Sequence, residues 1–289
     1  MKQFLAIDIG GTFIKYGLIG QSEVIQGAGK RPTPVNENKA IVQTVKSIVN
    51  EMMKEADLSG IGISTAGIVD RKRGEIIYAG PTIIDYIGTN FKDELAYTNL
   101  PVHVTNDVDS ALLGEMWRAN HPLDEAVFCL TLGTGIGGAY YKQGLQSGAH
   151  LQAHSIGYLL YDEVDETTYE MRASTSALND MIAKDLSPDL STIDFFDLAK
   201  ANDPAALSIL TSWANEVARG IAQIILIIDP ERIIIGGGIS AQGDYLLKVI
   251  EEEVQRHLPP NFMKTKLSIA KEKNNAALYG AVFAYFNPN

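Results

Sequence analysis

The sequence predicts a duplicated α/β fold, two similar halves with a central cleft, for three reasons. The chain has 289 residues, which is longer than a typical single domain. An apolar strand, a glycine turn and a second apolar strand occupy residues 5–19, and the same pattern returns at residues 126–142. Helices and strands alternate after each of these glycine hairpins, so two copies of one α/β unit account for the chain.

The first half begins with a strand meander. Apolar runs joined by glycine-bearing turns predict antiparallel strands at 3–9, 13–19 and 23–29. Apolar residues at helical spacing then predict a helix over 39–56.

The remainder of the first half alternates strands and turns. Residues 59–70 indicate a short strand that opens into a glycine turn, and residues 102–105 indicate a further strand. A helix is expected to begin near Asn106 and Asp107, because both residue types are good N-caps.

The second half repeats the strand, glycine turn and strand, and continues with helices and strands. Its Thr131-Leu-Gly-Thr-Gly segment can be laid over Asp8-Ile-Gly-Gly-Thr in the first half. The later elements predicted are a helical region ending at 208–229, a strand within 231–240, a helix over 244–258, and a strand followed by an apolar helix within 267–286.

We place the domain boundary near the helix that follows Asp107. The N-terminal domain is expected to cover residues 1–116 and to be completed by the C-terminal helix 275–287. The C-terminal domain is expected to cover residues 117–274.

Composition excludes several classes of protein. The net charge of −11 argues against a nucleic-acid partner, because no basic face is available to neutralise phosphates. The single cysteine, Cys129, lies in an apolar run and is expected to be a buried thiol. The longest apolar stretch, residues 221–229, is too short to span a bilayer. We therefore expect a cytoplasmic protein that does not bind membranes or DNA.

Three glycine turns are candidate phosphate cradles, because backbone N–H groups can approach phosphate oxygens where no Cβ intervenes. None fits the Walker pattern, which disfavours a P-loop enzyme. Asp8, just before the first turn, could hold Mg²⁺ through water and so bridge carboxylate and phosphate. The turns are Gly10-Gly11-Thr12, Gly133-Thr134-Gly135 and Gly236 to Gly238.

Asn106 and Asp107 form a second candidate constellation. As a helix cap the pair needs no further role. Alternatively, Asp107 could accept the proton of an attacking hydroxyl while Asn106 orients the same substrate. The sequence leaves both interpretations open.

The order of six segments resembles the ROK family (repressor, open reading frame, kinase) of sugar kinases, within the actin-like ATPase (ribonuclease H-like) superfold, nearly from end to end. The segments are AIDIGGTFIKYG, GISTAGIVD, VTNDVDSALLGE, LTLGTGIGGAYY, IIIGGGIS and NAALYGAVFA.

The resemblance implies an ATP- and Mg²⁺-dependent kinase that closes over a sugar and forms a homodimer. It also implies that the N-terminal domain forms the sugar and phosphate side and the C-terminal domain the nucleotide side. It implies that Asp107 is the catalytic base and that Asn106 and Glu170 contact the sugar. The residues it assigns to the nucleotide and its phosphates are Asp8, Gly10, Gly11, Thr12, Lys15, Gly133, Thr134, Gly135, Gly237 and Gly238.

The sequence departs from the family in one region. ROK kinases usually carry Glu-x-Gly-His and then a cysteine motif that binds zinc, whereas here Ser155 stands in the place of the Glu and Tyr158 in the place of the His. The motif cysteines are absent and Glu170 keeps its place, so we expect no zinc site. His150 and His154 lie nearby, and we interpret them as loop or substrate-contact residues rather than ligands.

The predicted function is therefore ATP-dependent phosphorylation of a hexose or hexose-glycoside hydroxymethyl, at O6. Loss of the Glu and His favours glucose or a β-glucoside, because Tyr158 offers an aromatic face and a hydroxyl. An N-acetylmannosamine kinase and a non-catalytic sugar-binding sensor are the alternatives. The repressors of the family carry an N-terminal helix-turn-helix, but here the first glycine motif begins within ten residues of Met1. Other segments expected to line the sugar pocket contain Ser64, Gly67, Tyr86 and Asn90.

Overall fold

A computed structural model describes residues 2–80 and 83–287. The strands are β1 Gln3–Ile9, β2 Phe13–Gly20, β3 Ile25–Pro32, β4 Leu58–Thr65, β5 Ile68–Asp70, β6 Glu75–Tyr78, β7 Val102–Asn106, β8 Val127–Leu132, β9 Ile136–Tyr141, β10 Arg232–Gly236 and β11 Lys266–Ile269. The α-helices are α1 Ala40–Glu55, α2 Phe91–Glu94, α3 Asp107–Arg118, α4 Tyr169–Ala173, α5 Thr175–Asp185, α6 Thr192–Lys200, α7 Pro204–Ile228, α8 Gly243–Arg256 and α9 Ala276–Phe286.

The chain folds as two compact units. Within the described residues, unit 1 comprises the chain up to Pro122, the short segment Ser147–Gln152 and the chain from Asn274 onward. Unit 2 comprises Leu123–Gln146 and Ala153–Lys273. The end of α3 lies in unit 1 because Trp117 stacks on Phe286 of α9, with ring centroids 4.6 Å apart.

Unit 1 is built on a five-stranded sheet in the order β3-β2-β1-β4-β7. Strands β1 to β3 run antiparallel, whereas β1, β4 and β7 run parallel. Alternate residues of β1 face opposite sides of the sheet. Leu5, Ile7 and Ile9 join the cluster that contains α1, and Phe4 and Ala6 join the cluster that contains α9. Helices therefore cover both faces.

Unit 2 is built on a four-stranded sheet in the order β11-β10-β8-β9. Strands β8 and β9 are antiparallel, and β8, β10 and β11 are parallel. The 25-residue helix α7 supplies much of the core, with Trp213 fully buried at its centre.

The two units repeat one topology. The strand order β2-β1-β4-β7 of unit 1 corresponds to β9-β8-β10-β11 of unit 2, with the same strand directions, and β3 is the additional edge strand of unit 1. The predicted fold class, a duplicated α/β fold, is confirmed.

Two predicted elements differ in detail. The strand predicted at 23–29 lies at Ile25–Pro32, because Glu23 adopts a positive φ of 54° in the preceding turn and its N–H donates to the Gly20 carbonyl. After the glycine turn at Gly67 the chain forms a two-stranded ribbon, β5 and β6, that the pattern did not predict.

No helix in the described part of the chain is long and apolar enough to cross a membrane.

Candidate active site

The candidate site of unit 1 lies where three parallel strands end. The register places Asp8 of β1 beside Ser64 of β4, and Ser64 beside Thr105 of β7. Because parallel strands end at the same edge of a sheet, the residues that follow them converge there. The ends of β1, β4 and β7 therefore bring Asp8, Ser64 and the Asn106–Asp107 pair to one edge.

Asp8 is a buried carboxylate held by two neighbours. The Ser64 hydroxyl donates to its Oδ1 at 2.8 Å, and Lys15 Nζ lies 3.9 Å from its Oδ2. Burial raises the pKa of Asp8 above its usual range, and the hydrogen bond from Ser64 and the charge of Lys15 offset part of that rise. A nearby cation would therefore favour its ionised form further.

The first glycine turn joins β1 to β2 and is fastened to the end of β3. The Gly10 N–H donates to the Phe13 carbonyl at 3.1 Å. Thr33 clamps the turn twice: its hydroxyl donates to the Gly10 carbonyl at 2.6 Å, and its N–H donates to the Thr12 carbonyl at 2.9 Å. A Cβ added to Gly11 would meet no atom within 4 Å, so its outer side is open. No local pattern in the sequence indicates this role of Thr33.

Asn106 caps helix α3, which confirms the cap interpretation. Its side-chain oxygen accepts from the N–H groups of Val108, at 2.8 Å, and Asp109, at 3.3 Å. Its Nδ2 donates to the Gly67 carbonyl at 2.6 Å. Gly67 has a φ of +99°, and a Cβ there would lie 2.5 Å from the Tyr78 carbonyl oxygen. The cap thus uses the acceptor of Asn106 and leaves only an amide hydrogen for a substrate.

Asp107 is the first residue of α3, and its carboxylate accepts from the Val108 N–H at 2.9 Å. Solvent reaches the side chain, yet the surrounding protein displaces much of the water that would stabilise its charge. This desolvation, followed by repulsion from Asp8, raises the pKa of Asp107 to about 6. A carboxylate of this kind is ionised at neutral pH but takes up a proton readily.

Asp109 in the same helical turn has a similar pKa. Burial raises it to about 6, and the charge of Arg71 lowers it in part. Arg71 lies after strand β5 and donates to the Ser147 hydroxyl at 2.8 Å. The sequence did not indicate Asp109 or Arg71, because the approach of Arg71 to Asp109 depends on the fold of the β5–β6 ribbon.

The structure places Tyr86 and Asn90 in supporting positions. Tyr86 is fully buried, and its hydroxyl lies 2.6 Å from the Thr65 hydroxyl, so its ring belongs to the core of unit 1. Asn90 caps the short helix α2 by accepting from the N–H groups of Lys92 and Asp93.

The glycine turn of unit 2 is held by Glu170. The turn closes through a bond from the Gly133 N–H to the Gly135 carbonyl at 2.9 Å, and it includes Thr134. Glu170 Oε2 accepts from the Ile136 N–H at 2.7 Å. A Cβ on Gly135 would lie 2.4 Å from the same oxygen, so the carboxylate occupies the space of a side chain. The structure thus shows Glu170 packed against the β8–β9 turn.

Gly237 allows a close approach between the end of β10 and the end of β8. Its φ is +90°, and a Cβ there would lie 2.1 Å from the Leu132 carbonyl oxygen. The next residue, Gly238, has no atom within 4 Å of its Cβ position. One glycine is therefore required by packing, and the other leaves open space beside the β8–β9 turn.

The residues that replace the family's Glu and His lie in one short segment of unit 2. Ser155 precedes a single 3-10 turn over Ile156–Tyr158, and Tyr158 is 69% exposed. His154 packs edge-to-face against Phe128 and Tyr140, and burial lowers its pKa. His150 lies in the segment that belongs to unit 1. Across residues 2–80 and 83–287, no group of three His, Cys, Asp or Glu side chains is arranged to hold a metal ion.

The duplicated sheet order, with a glycine hairpin at the start of each copy, defines the class of protein: an actin-like, ribonuclease H-like ATPase fold. Within that class the model of the ROK family matches residues 4–286, so the chain belongs to the ROK family. The family resemblance carried by the motifs is confirmed.

Similar proteins cover nearly the whole chain. An uncharacterized protein of Clostridium perfringens is 36% identical over 99% of this chain and 98% of its own length. A β-glucoside kinase of Listeria innocua is 28% identical over 97% of this chain and 96% of its own length. The structure of a ROK family glucokinase from Streptomyces griseus, in complex with glucose and AMPPNP, matches with a TM-score of 0.81 at 27% identity, covering 96% of this chain and 97% of that chain.

Proposed function

We propose that this protein is an ATP-dependent sugar kinase that phosphorylates the hydroxymethyl group, at O6, of a hexose or hexose glycoside. The observation that carries the proposal is the position of Asp107. It is the first residue of α3, at the edge where β1, β4 and β7 end, and its pKa of about 6 suits a general base.

The proposed reaction transfers the γ-phosphoryl group directly from ATP to the sugar, without a covalent intermediate on the protein. The sugar O6 attacks the γ-phosphorus of ATP while its proton passes to the Asp107 carboxylate. The bond from the γ-phosphorus to the bridging oxygen breaks, and ADP leaves. Most of the rate is expected from positioning and from stabilisation of the charge on the phosphoryl oxygens.

We assign the two glycine turns to the phosphates of ATP and the turn after β10 to its adenosine. In unit 1 the backbone of Gly10, Gly11 and Thr12 is open to a ligand on the outer side of Gly11, and Lys15 lies beside Asp8. In unit 2 we assign Gly133, Thr134 and Gly135 to phosphate. Gly237 and Gly238 are assigned to the nucleoside because Gly238 leaves open space.

The residues of unit 1 fit Mg²⁺ held mainly by water and substrate phosphate. Mg²⁺ binds oxygen ligands and often uses only one or two carboxylates. Asp8 offers a buried carboxylate whose charge acts on Asp107. When bound, the ion would neutralise phosphate charge, while Asp8 would hold it through water and Ser64 would orient Asp8.

We propose glucose or a β-glucoside as the substrate. Its contacts would come from Asn106, Ser64, Gly67 and Glu170, and from Ser155 and Tyr158 in place of a charged Glu and a His. An exposed tyrosine ring can stack on a sugar or its aglycone. The names of the relatives support this choice, since one is a β-glucoside kinase and another a glucokinase bound to glucose.

The test is phosphorylation of a sugar panel with Mg-ATP: glucose, N-acetylmannosamine, N-acetylglucosamine, fructose, cellobiose and aryl β-glucosides. Turnover of glucose or a β-glucoside, with the product phosphorylated at O6 by NMR, is the expected result. Turnover confined to N-acetylmannosamine would identify that sugar as the substrate, instead of glucose or a β-glucoside. Sugar binding by calorimetry without any turnover would favour a sensor instead. Light scattering on the same sample would test the homodimer that we propose with this function.

The kinase should lose activity below pH 6. Asp107 must be ionised to accept a proton, and its pKa of about 6 means that it is protonated below this value. We therefore expect kcat/KM for the sugar to fall about ten-fold for each pH unit below the inflection and to level off above pH 7, because kcat/KM reports the pKa of the enzyme before the sugar binds. The measurement is kcat/KM for the sugar, at one fixed Mg-ATP concentration, between pH 5 and 8.

Asp109 provides the control for this pH profile, because its pKa is also about 6. The variant Asp109→Asn should keep the inflection. Disappearance of the inflection in Asp109→Asn would mean that the inflection reports the titration of Asp109 rather than that of Asp107.

A further inference from the structure

The chain between Tyr158 and Tyr169 in unit 2 contains little regular structure. Only one antiparallel bridge, between Asp162 and Thr167, crosses it. Leu160 and Glu166 have positive φ angles of 51° and 52°, which are unfavourable for non-glycine residues. Val164 at its tip is 90% exposed. In this segment, residues 159–168, Leu160 packs against the core of unit 2, and the Asp162 carboxylate accepts from the N–H groups of Val164 and Asp165. The position of the segment on unit 2 therefore depends on Leu160 and on the bonds at its two ends.

One guanidinium group holds the segment at both ends. Arg172 of α4 donates from Nη2 to the Leu160 carbonyl. Its Nη1 donates to the Thr167 carbonyl at 2.9 Å and to the Thr167 hydroxyl at 2.6 Å. Because the guanidinium is planar and carries five donors in a fixed fork, a lysine could not make these bonds together.

The same guanidinium fixes the segment to helix α7. Arg172 Nε donates to Glu216 Oε2 at 3.0 Å, and both side chains are mostly buried, with exposed fractions of 17% and 21%. Arg219 also binds Glu216, at 2.9 Å, but the structure gives it no bond to Leu160 or Thr167. Glu216 therefore joins two arginines, and of these two Arg172 makes the hydrogen bonds to the segment. The charges of both arginines act on Asp162 within it, that of Arg172 more strongly.

We propose that Arg172 is a positioning residue for sugar binding, which fixes residues 159–168 on α7 and thereby sets the place of Ser155 and Tyr158. The link is short. Leu160 is two residues from Tyr158, and the Leu159 N–H donates to the Ile156 carbonyl at 3.0 Å. This inference rests on the proposed function, in which Ser155 and Tyr158 face the sugar.

Helix α4 itself does not depend on Arg172. The buried Tyr169 donates its hydroxyl to the Val217 carbonyl at 2.9 Å, and Gly220 leaves room for its ring. Trp213 of α7 donates to the carbonyls of Ala173 and Ser174 at 3.1 and 3.0 Å. Glu170 and the β8–β9 turn should therefore stay in place when Arg172 is removed, and the effect should fall on sugar rather than on ATP.

The test compares Arg172→Met with Arg219→Met. Each variant removes one partner of Glu216, but only the first removes the bonds to residues 159–168. In Arg172→Met we expect amide hydrogen exchange in this segment to rise about ten-fold, since charge-assisted hydrogen bonds are strong ones. Exchange in α7 should stay unchanged. The KM for glucose, or for cellobiose if the panel selects it, should rise about ten-fold while the KM for ATP stays within about two-fold.

Several results would overturn the proposal. Unchanged exchange in Arg172→Met, or an equal rise in Arg219→Met, would show that Arg172 does not hold the segment. Faster exchange with an unchanged sugar KM, or with an equal rise in the KM for ATP, would break the link to sugar binding. If Arg172→Met does not fold, Arg172→Lys keeps the charge, and faster exchange confined to 159–168 is expected from it. Failure of the proposed function would be visible separately, as absence of turnover by the unsubstituted protein.

Discussion

Replacing Asp107 with asparagine is expected to lower kcat by a factor of about 10² to 10⁴, the range that general-base catalysis usually contributes. Asparagine keeps the shape of the side chain and its bond from the Val108 N–H, but it cannot accept the proton of the sugar hydroxyl. The KM for sugar should change little, because the binding contacts remain. Steady-state rates with the best sugar of the panel measure both quantities.

The same variant should be at least as stable as the unsubstituted protein at pH 7.5. The pKa of Asp107 is raised in the folded state, so folding disfavours its ionised form. The stability that the protonated form contributes is present below its unfolded pKa and is lost as the pH rises through about 6. Asparagine carries no charge, so the variant does not lose this stability as the pH rises. The measurement is the melting temperature of both proteins at pH 7.5.

Asp109→Asn is the matched control, because it makes the same chemical change in the same helical turn at a residue of similar pKa. Its kcat should fall far less than that of Asp107→Asn. An Asp107→Asn enzyme with nearly full kcat would exclude this carboxylate as the base. A collapse of kcat in both variants at reduced stability would point to disruption of α3 instead.

Most of the fold could be predicted, because its elements have strong local signals. Continuous or alternating apolar residues mark β1, β2, β8 and β10, and the long apolar stripe marks α7. The two glycine hairpins made the duplication visible. The ribbon of β5 and β6 was missed because its strands have only three and four residues, too few to show a period.

The site could be predicted only where chemistry and local sequence coincide. Asn106 and Asp107 follow a strand directly, so the cap and the base candidate were both readable. Thr33 reaches Gly10 across 23 positions of sequence, and Glu170 reaches Ile136 across 34. Such contacts arise from sheet order and helix packing, and no local pattern indicates them. The burial of Tyr86 is a similar case, because its apolar neighbours Ile84 and Ile87 are exposed, so apolar character alone does not mark the buried position.

The second large effect is expected on stability, at the crossing of α3 and α9. A Cβ added to Gly280 of α9 would lie 1.7 Å from the Ser110 carbonyl oxygen of α3. The reciprocal contact has a Cβ on Gly114 at 2.0 Å from the Ala276 carbonyl oxygen. Both obstacles are backbone atoms, so no rotamer change can relieve the overlap. Gly280→Ala should therefore lower the free energy of unfolding of unit 1 by about 3 kcal/mol, the upper end of usual overpacking costs.

The measurement can be confined to unit 1, because the two tryptophans lie in different units: Trp117 in unit 1, in contact with α9, and Trp213 in unit 2. Urea unfolding is followed by Trp117 fluorescence, with Trp213→Phe present in every protein compared. Gly20→Ala is the control, since its Cβ would meet its nearest neighbour at 3.4 Å, and its effect should stay within about 1 kcal/mol.

The helix crossing also bears on catalysis, because α3 begins at Asp107 and Ser110 lies one turn further along. If Gly280→Ala displaces α3 rather than α9, Asp107 moves with α3. Where the variant remains folded at low temperature, kcat should fall as well, since small misplacements of a catalytic group are costly. An unfolding midpoint equal to that of the parent would mean that the two helices separate without a loss of stability. A lowered midpoint with full kcat would mean that α9 yields while α3 keeps the base in place.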